Sequence, residues 1–319
     1  MPRSMMRTHT TPILCVTLLL SLLPSALAIP TAVDSGEVEQ GVFGGLTVLA
    51  SNQTAGEASS NLASLPDIAE VYTATWCENC VDVEEGLETT VANNDEATVQ
   101  LMFHRSINEI EDPFGTLAGD QRWIDRYGVA SKQAVSIMRA PPTIIVNGEI
   151  MHAGSGGGDG DSLVPLFAAS FESNTEFGAA IGTSSLSWSS EDGVSGTVTW
   201  SLSLDDEQGR LIDSLLFVVE DSAIFEEGSN GIGDYRHSVR AVHNLSGNSG
   251  ELVVTLPEAW DGEDLSLVLL HQWQAPPSND EGSETSSPLG GIPAAAVVSS
   301  VLVSLAAAGL LGRSKDRRP

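Results

Sequence analysis

The segment "PDIAEVYTATWCENCVDVEEGL", residues 66–87, holds two cysteines three positions apart, Cys77 and Cys80. They fall between an apolar, β-branched run and an acidic helical pattern. "PDIAEVYTAT" reads as a short buried strand. From Cys77 to about Val91, Val81, Val83 and Leu87 recur among acidic residues as a helix would place them. A strand that passes at once into a helix through a Cys-x-x-Cys junction leaves few folds open. It also allows three roles for the sulfurs: a redox pair, half of a metal site, or a structural crosslink.

The chain has one further cysteine, Cys15. Arg3 and Arg7 precede the apolar run "PILCVTLLLSLLPSALA", which ends in Ala26-Leu27-Ala28. This is the pattern of a secretory signal peptide over residues 1–28, and cleavage after Ala28 removes Cys15. A lipoprotein role for Cys15 is disfavoured, because it opens the apolar run instead of following it. A second apolar segment, Ile292–Gly312, carries no charge, and "RSKDRRP" follows it. About 20 such residues suffice to cross a bilayer as a helix. The basic residues behind it favour a cytoplasmic tail, 313–319. A core helix and a cleaved C-terminal signal are the alternatives. The sequence therefore predicts a single-pass protein in the cell membrane with its bulk outside.

Residues 29–291 carry 8 of the 14 basic and 42 of the 43 acidic side chains, a net charge near −34. Such a surface repels a nucleic-acid backbone, which excludes that class of partner. The acidity alone selects no ligand.

Residues 29–65 are rich in Ser, Ala, Gly and Thr and read as a linker. "TVQLMFHR" (98–105) predicts a strand. In "LAGDQRWIDRYGV" (117–129), Leu117, Trp123, Ile124 and Tyr127 predict an amphipathic helix. "PPTIIVNGEIMHAG" (141–154) reads as strand, tight turn at Asn147-Gly148 and returning strand. A helix at about 162–172 follows the glycine run. Asp159 and Asp161 match no calcium-loop spacing, and a helix cap at Asp161 or Ser162 is the simpler role. After Gly182, alternating runs between turn signals predict a β-sandwich over 181–274, with Trp188, Trp200 and Trp273 in its core. Residues 275–291 read as a polar stalk.

"YTATWCENC" and "PPTIIVNGE" together resemble the thioredoxin family over roughly 66–180. The fold class this implies is an α/β thioredoxin-like domain followed by an all-β, sandwich-like domain, with one C-terminal transmembrane helix. The resemblance implies a catalytic disulfide in which Cys77 attacks and Cys80 resolves. It makes Pro142 a cis-proline facing the sulfurs and places Trp76 and Thr143 at the substrate-binding surface. The physics of the junction agrees. A cysteine at a helix N-terminus has its thiolate stabilised by unpaired N–H groups and the helix dipole.

Two departures from the family stand out. The residue before Pro142 is Pro141, which has no N–H to pair with a substrate strand. The family often buries an acid six residues before the first cysteine, and that position is Val71. Glu70 beside it points to the opposite strand face. Glu78, Asp82, Glu84 and Glu85 all oppose a thiolate at Cys77.

A looser similarity links "FHRSINEIEDPFGTLAGDQRWIDRYGV" and "YRHSVRAVHN" (235–244) to Omp28-related secreted thioredoxin-like proteins. It makes His104 a candidate proton shuttle, against a structural role at a strand end.

A zinc site needs about four ligands. There is no second cysteine pair, and His104 and His152 would have to converge on this one, so no metal is expected. His237, His243 and His271 read as scattered histidines. Asn52 and Asn244 lie in glycosylation sequons. The function expected is a membrane-anchored, extracytoplasmic thiol–disulfide oxidoreductase. It needs no cofactor and acts on exported proteins with thiols or disulfides, and its redox partner is not named by the sequence. The rival is a cell-surface binding or structural protein in which the disulfide is inert.

Overall fold

The computed structural model describes residues 31–32, 40–94, 97–107, 112–173 and 180–276. The expected signal peptide, the transmembrane helix at 292–312, the cytoplasmic tail and nearly all of the stalk lie outside these. Among the described residues no helix is long and apolar enough to cross a membrane.

The strands, in chain order, are β1 (Thr31–Ala32), β2 (Gln40–Leu49), β3 (Ala55–Asn61), β4 (Asp67–Thr73), β5 (Thr98–His104), β6 (Thr143–Val146), β7 (Ile150–Ala153), β8 (Gly182–Ser190), β9 (Ser195–Leu204), β10 (Leu211–Ile224), β11 (Asp234–Leu245), β12 (Ser249–Thr255) and β13 (Leu265–Gln274). The α-helices among the described residues are α1 (Glu78–Asn93), α2 (Leu117–Val135) and α3 (Gly160–Phe171), and one 3-10 turn spans Leu62–Ser64.

An α/β domain followed by a separate sandwich is not the layout found. Among the described residues 45% are strand and 22% helix, in two sheets, with no clear α/β thioredoxin-like layout. The larger sheet has nine strands in the order β1-β7-β6-β4-β5-β11-β10-β13-β2, so it runs through both expected domains. They join where β5 meets β11 in parallel, with Met102 opposite Ser238. The smaller sheet has the order β12-β9-β8-β3. The segment expected as a linker supplies β2, paired with β13, and β3, paired with β8.

Three apolar layers explain the merger. Trp123, Tyr127 and Ala130 of α2 pack on Tyr72, Leu101 and Phe103 and also on Val42, Leu215, Phe217 and Val268. One helix thus covers both halves of the large sheet. On the opposite face, Val83 and Leu87 of α1 and Leu163 and Phe167 of α3 cover Val71, Met102 and Ile144. Beyond them the small sheet takes over, with Leu186, Trp188, Val198 and Trp200 against Leu46, Leu216 and Leu267. Burying a side chain of this size contributes roughly 1.5–3 kcal/mol, so exposing either seam would be costly.

β2 changes face along its length. Its register with β13 shifts between Leu270 and Gln272, and Gly44 there has φ +111°. The bulge sends Val42 to the α2 side and Leu46 to the inter-sheet core. At the β6–β7 hairpin, Asn147 (φ +50°) and Gly148 (φ +68°) are the central residues of a tight turn closed by the Glu149 N–H donating to the Val146 carbonyl at 3.0 Å.

Candidate functional site

β4 ends at Thr73, and the Cys77 N–H donates to the Ala74 carbonyl at 3.0 Å, closing a turn over Thr75 and Trp76. Cys77 is the N-cap residue of α1, with its side chain free of any capping bond, and the Cys80 N–H donates to the Cys77 carbonyl at 3.1 Å. The two sulfurs therefore meet across the first helical turn, where they form a disulfide. Trp76 packs half-buried against the pair, and the Arg105 guanidinium lies 5.8 Å from its ring.

Cys77 is less open than the expected attacking sulfur, with 6% of its surface exposed, whereas Cys80 has none. The asymmetry has the expected sense, but Ala74 and Trp76 narrow the approach to Cys77. Glu78, Asp82 and Glu85 all point to solvent, where water screens their charge.

Pro141–Pro142 is a cis peptide, and Pro142 is buried. Thr143 pairs with Tyr72, so Pro142 lies at the sheet end from which β4 passes to the cysteine turn. The Thr143 hydroxyl donates to the Ala140 carbonyl at 2.6 Å, which fixes the chain just before the proline pair.

A polar network built on Asp112 and His104 lies behind the turn, and a half-buried carboxyl, Glu84, borders it. The sequence reading places no buried acid beneath the pair, because it looks for one on the strand. The acid comes instead from the helix, four residues after Cys80 and so on the same face. The signal was present: positions 80, 83, 84 and 87 form an apolar helical stripe, and Glu84 interrupts it. Its carboxylate accepts a hydrogen bond from the Thr73 hydroxyl. Desolvation by burial raises its pKa to about 7, against the lowering effects of that bond and of His104.

His104, at the end of β5, is 3% exposed. Its Nδ1 is 3.3 Å from Asp112 and its Nε2 is 3.4 Å from the Ser238 hydroxyl of β11. Asp112 also accepts the Thr75 N–H at 2.9 Å. Tyr235 of β11 packs its ring on His104, 5.7 Å between centroids, and its hydroxyl oxygen lies 3.4 Å from the Thr75 carbonyl. A cleft of about 360 Å³ opens beside Glu84, between α1, β5 and β11, with Val81, Met102, Arg236 and His237 in its walls.

The other residues singled out from sequence serve elsewhere. Glu70 faces α2, where Arg122 at 3.1 Å and the Tyr127 hydroxyl hold it, so it is no base for the sulfurs. Asp159, and not Asp161 or Ser162, caps α3 by accepting the Ser162 N–H. His152 lies on β7, separated from β5 by β6 and β4, and its Nε2 is 2.8 Å from the Ser170 hydroxyl. It does not meet His104 at the pair. His237 contacts Asp221 at 3.0 Å, and burial lowers its pKa, as it does that of His243. Asn52, at a turn, and Asn244, on β11, both have exposed side chains.

No protein-family model matches the chain, and no curated protein matches it. Among solved structures, a protein from Agrobacterium tumefaciens determined by X-ray crystallography is similar at 15% identity, with a TM-score of 0.37. The match covers 59% of this chain and 78% of that one. A likeness this low carries no functional inference.

Proposed function

We propose that the protein is a thiol–disulfide oxidoreductase of exported proteins, anchored to the membrane by its C-terminal apolar segment. The observation that carries this reading is the placement of a two-cysteine disulfide at the start of α1 with Glu84 on the same face. The likeness of the two motifs to thioredoxin-like proteins adds support from the residues alone, independent of the overall layout.

In the reducing direction, the Cys77 thiolate attacks one sulfur of a client disulfide. A Cys77–client disulfide forms and the client's second sulfur leaves as a thiolate. The Cys80 thiolate then attacks the Cys77 sulfur, which closes the Cys77–Cys80 disulfide and releases the client as a dithiol. Two electrons pass from the pair to the client, and two protons complete the thiols. The opposite direction runs the same steps in reverse, and turnover needs an external dithiol or disulfide carrier to reset the pair.

Glu84, with a pKa of about 7, suits proton exchange with Cys80 at neutral pH. His104 and Asp112 hold the polar layer behind the turn.

The narrow exposure of Cys77 favours one rival, an inert structural disulfide on a surface protein. A loop this short gains little stability from its crosslink. Trapping separates the two. A Cys80→Ser chain is expected to accumulate mixed disulfides through Cys77 with exported proteins, visible on non-reducing gels and lost on adding dithiothreitol. No captured partner, together with no exchange of a model disulfide by the wild type, would favour the inert crosslink.

A further inference from the structure

We infer that the β-rich segment is a working part of the thiol centre, with Tyr235 and Asn230 as positioning residues that fix the Ala74–Cys77 turn. The inference rests on the reading of Cys77 as the nucleophile.

The turn is gripped from outside its own strand and helix. The Thr75 carbonyl accepts the Asn230 N–H at 3.1 Å, and the Tyr235 hydroxyl oxygen packs 3.4 Å from it. The Ala74 carbonyl, which already accepts the Cys77 N–H, also accepts the Asn230 side-chain amide at 3.3 Å. The two positioning residues are locked together, because the Tyr235 hydroxyl donates to Asn230 Oδ1 at 2.6 Å. That oxygen also accepts the Ile232 N–H at 3.1 Å. Gly228 sits so close that a Cβ there would lie 1.9 Å from the Tyr235 hydroxyl, so the loop between β10 and β11 is packed directly on this contact.

On the other side of Thr75, the N–H is held by Asp112. Both peptide groups of a residue two positions before Cys77 are therefore fixed by groups distant in sequence.

Fixing the turn has a chemical consequence. A helix N-terminus stabilises a thiolate only while its N–H groups point at the sulfur, and the effect fades within one turn. The Ala74–Cys77 turn sets where the Cys77 side chain sits relative to that end. Loosening the turn weakens the stabilisation and raises the thiol's pKa. The charged and titratable groups around the turn are Glu78 and Glu84 of α1, His104, Arg105, Asp112, and Glu226 and Glu227 of the loop. All of them remain when Tyr235 or Asn230 is replaced, and Tyr235 itself, its pKa raised by burial, is uncharged over the assayed range, so a change can be assigned to position.

The test follows alkylation of Cys77 in the reduced full chain as a function of pH, read by peptide mass spectrometry. Tyr235→Phe removes only the hydroxyl, and Asn230→Ala removes the side-chain bonds. Each is expected to move the inflection up by about half a pH unit and to slow alkylation two- to three-fold at pH 7. Ser222→Ala, which loses a surface bond to Asp234 in the same hairpin, is expected to keep the wild-type profile. A role confined to stability would lower the melting temperature and leave the profile in place. Superimposable profiles for both variants and the wild type would overturn the inference. A shifted profile in a chain that exchanges no client disulfide would uphold the positioning and reject the oxidoreductase reading.

Discussion

In the proposed reaction Glu84 exchanges the proton, and this role can be tested on two counts. Its pKa is raised to about 7 from an ordinary 4.5, chiefly by burial. The half-buried carboxyl is therefore stabilising below about 4.5, where both folded and unfolded forms are protonated. That contribution is lost as pH rises through 7, where the folded protein has to bury a charge. Glu84→Gln is expected to raise stability relative to wild type at pH 8, by on the order of 2 kcal/mol, and to change it little at pH 4. Urea midpoints at the two pH values check this. The same variant is expected to lose the inflection near pH 7 in the rate at which Cys80 resolves a Cys77 mixed disulfide, followed in stopped flow. An unchanged inflection would remove Glu84 from the proton transfer.

At the scale of elements, α2 holds the two halves together. Trp123 has no exposed surface, and its ring lies 4.9 Å from Tyr72 and 5.1 Å from Tyr127. Trp123→Ala is expected to cost about 3–5 kcal/mol in chemical unfolding, as large-to-small core changes do. The three helices and the β6–β7 hairpin were legible in the sequence, because helical spacing and Asn-Gly chemistry are local signals. β2 and β3 were not. In β2, Gly41 and Gly45 replace the side chains that would mark a strand, since a Cβ would lie 2.5 Å from the Trp273 ring nitrogen or the Leu269 carbonyl. β3 is an edge strand with the sequence AGEASSN, which carries no large apolar residue. Alternation cannot be seen where close backbone approach forbids side chains. In the site, the cysteines and the Pro141-Pro142 pair were legible as motifs. Tyr235 and Asn230 reach the cysteine turn only through tertiary packing, which one-dimensional spacing does not carry.

At the scale of the whole molecule, one large sheet and one shared helix are expected to make the described residues a single cooperative unit. Near-UV circular dichroism and tryptophan fluorescence are expected to give coincident unfolding midpoints. Two resolved transitions would restore the two-domain layout. His271 adds a pH dependence to this unit. It bridges the sheets, 2.7 Å from Ser184 of β8 and 2.7 Å from Ser214 of β10, and burial lowers its pKa to about 4. A depressed histidine stabilises fully above the unfolded value near 6.5, and that contribution is lost as pH falls toward 4. The wild type is expected to lose on the order of 3 kcal/mol from this group between those limits. Glu84 acts in the opposite sense over the same range, so the histidine is isolated as the stability difference between wild type and His271→Gln, which is expected to move in favour of the wild type by that amount as pH rises from 4 to 6.5.

The most direct measurement of the central claim is the reduction potential of Cys77–Cys80 in the full chain, equilibrated with graded dithiol–disulfide buffers and quantified by thiol trapping. An exchangeable pair gives a reversible two-electron transition above about −300 mV. A disulfide that stays closed in every buffer down to that value would contradict the account and leave the pair a structural crosslink.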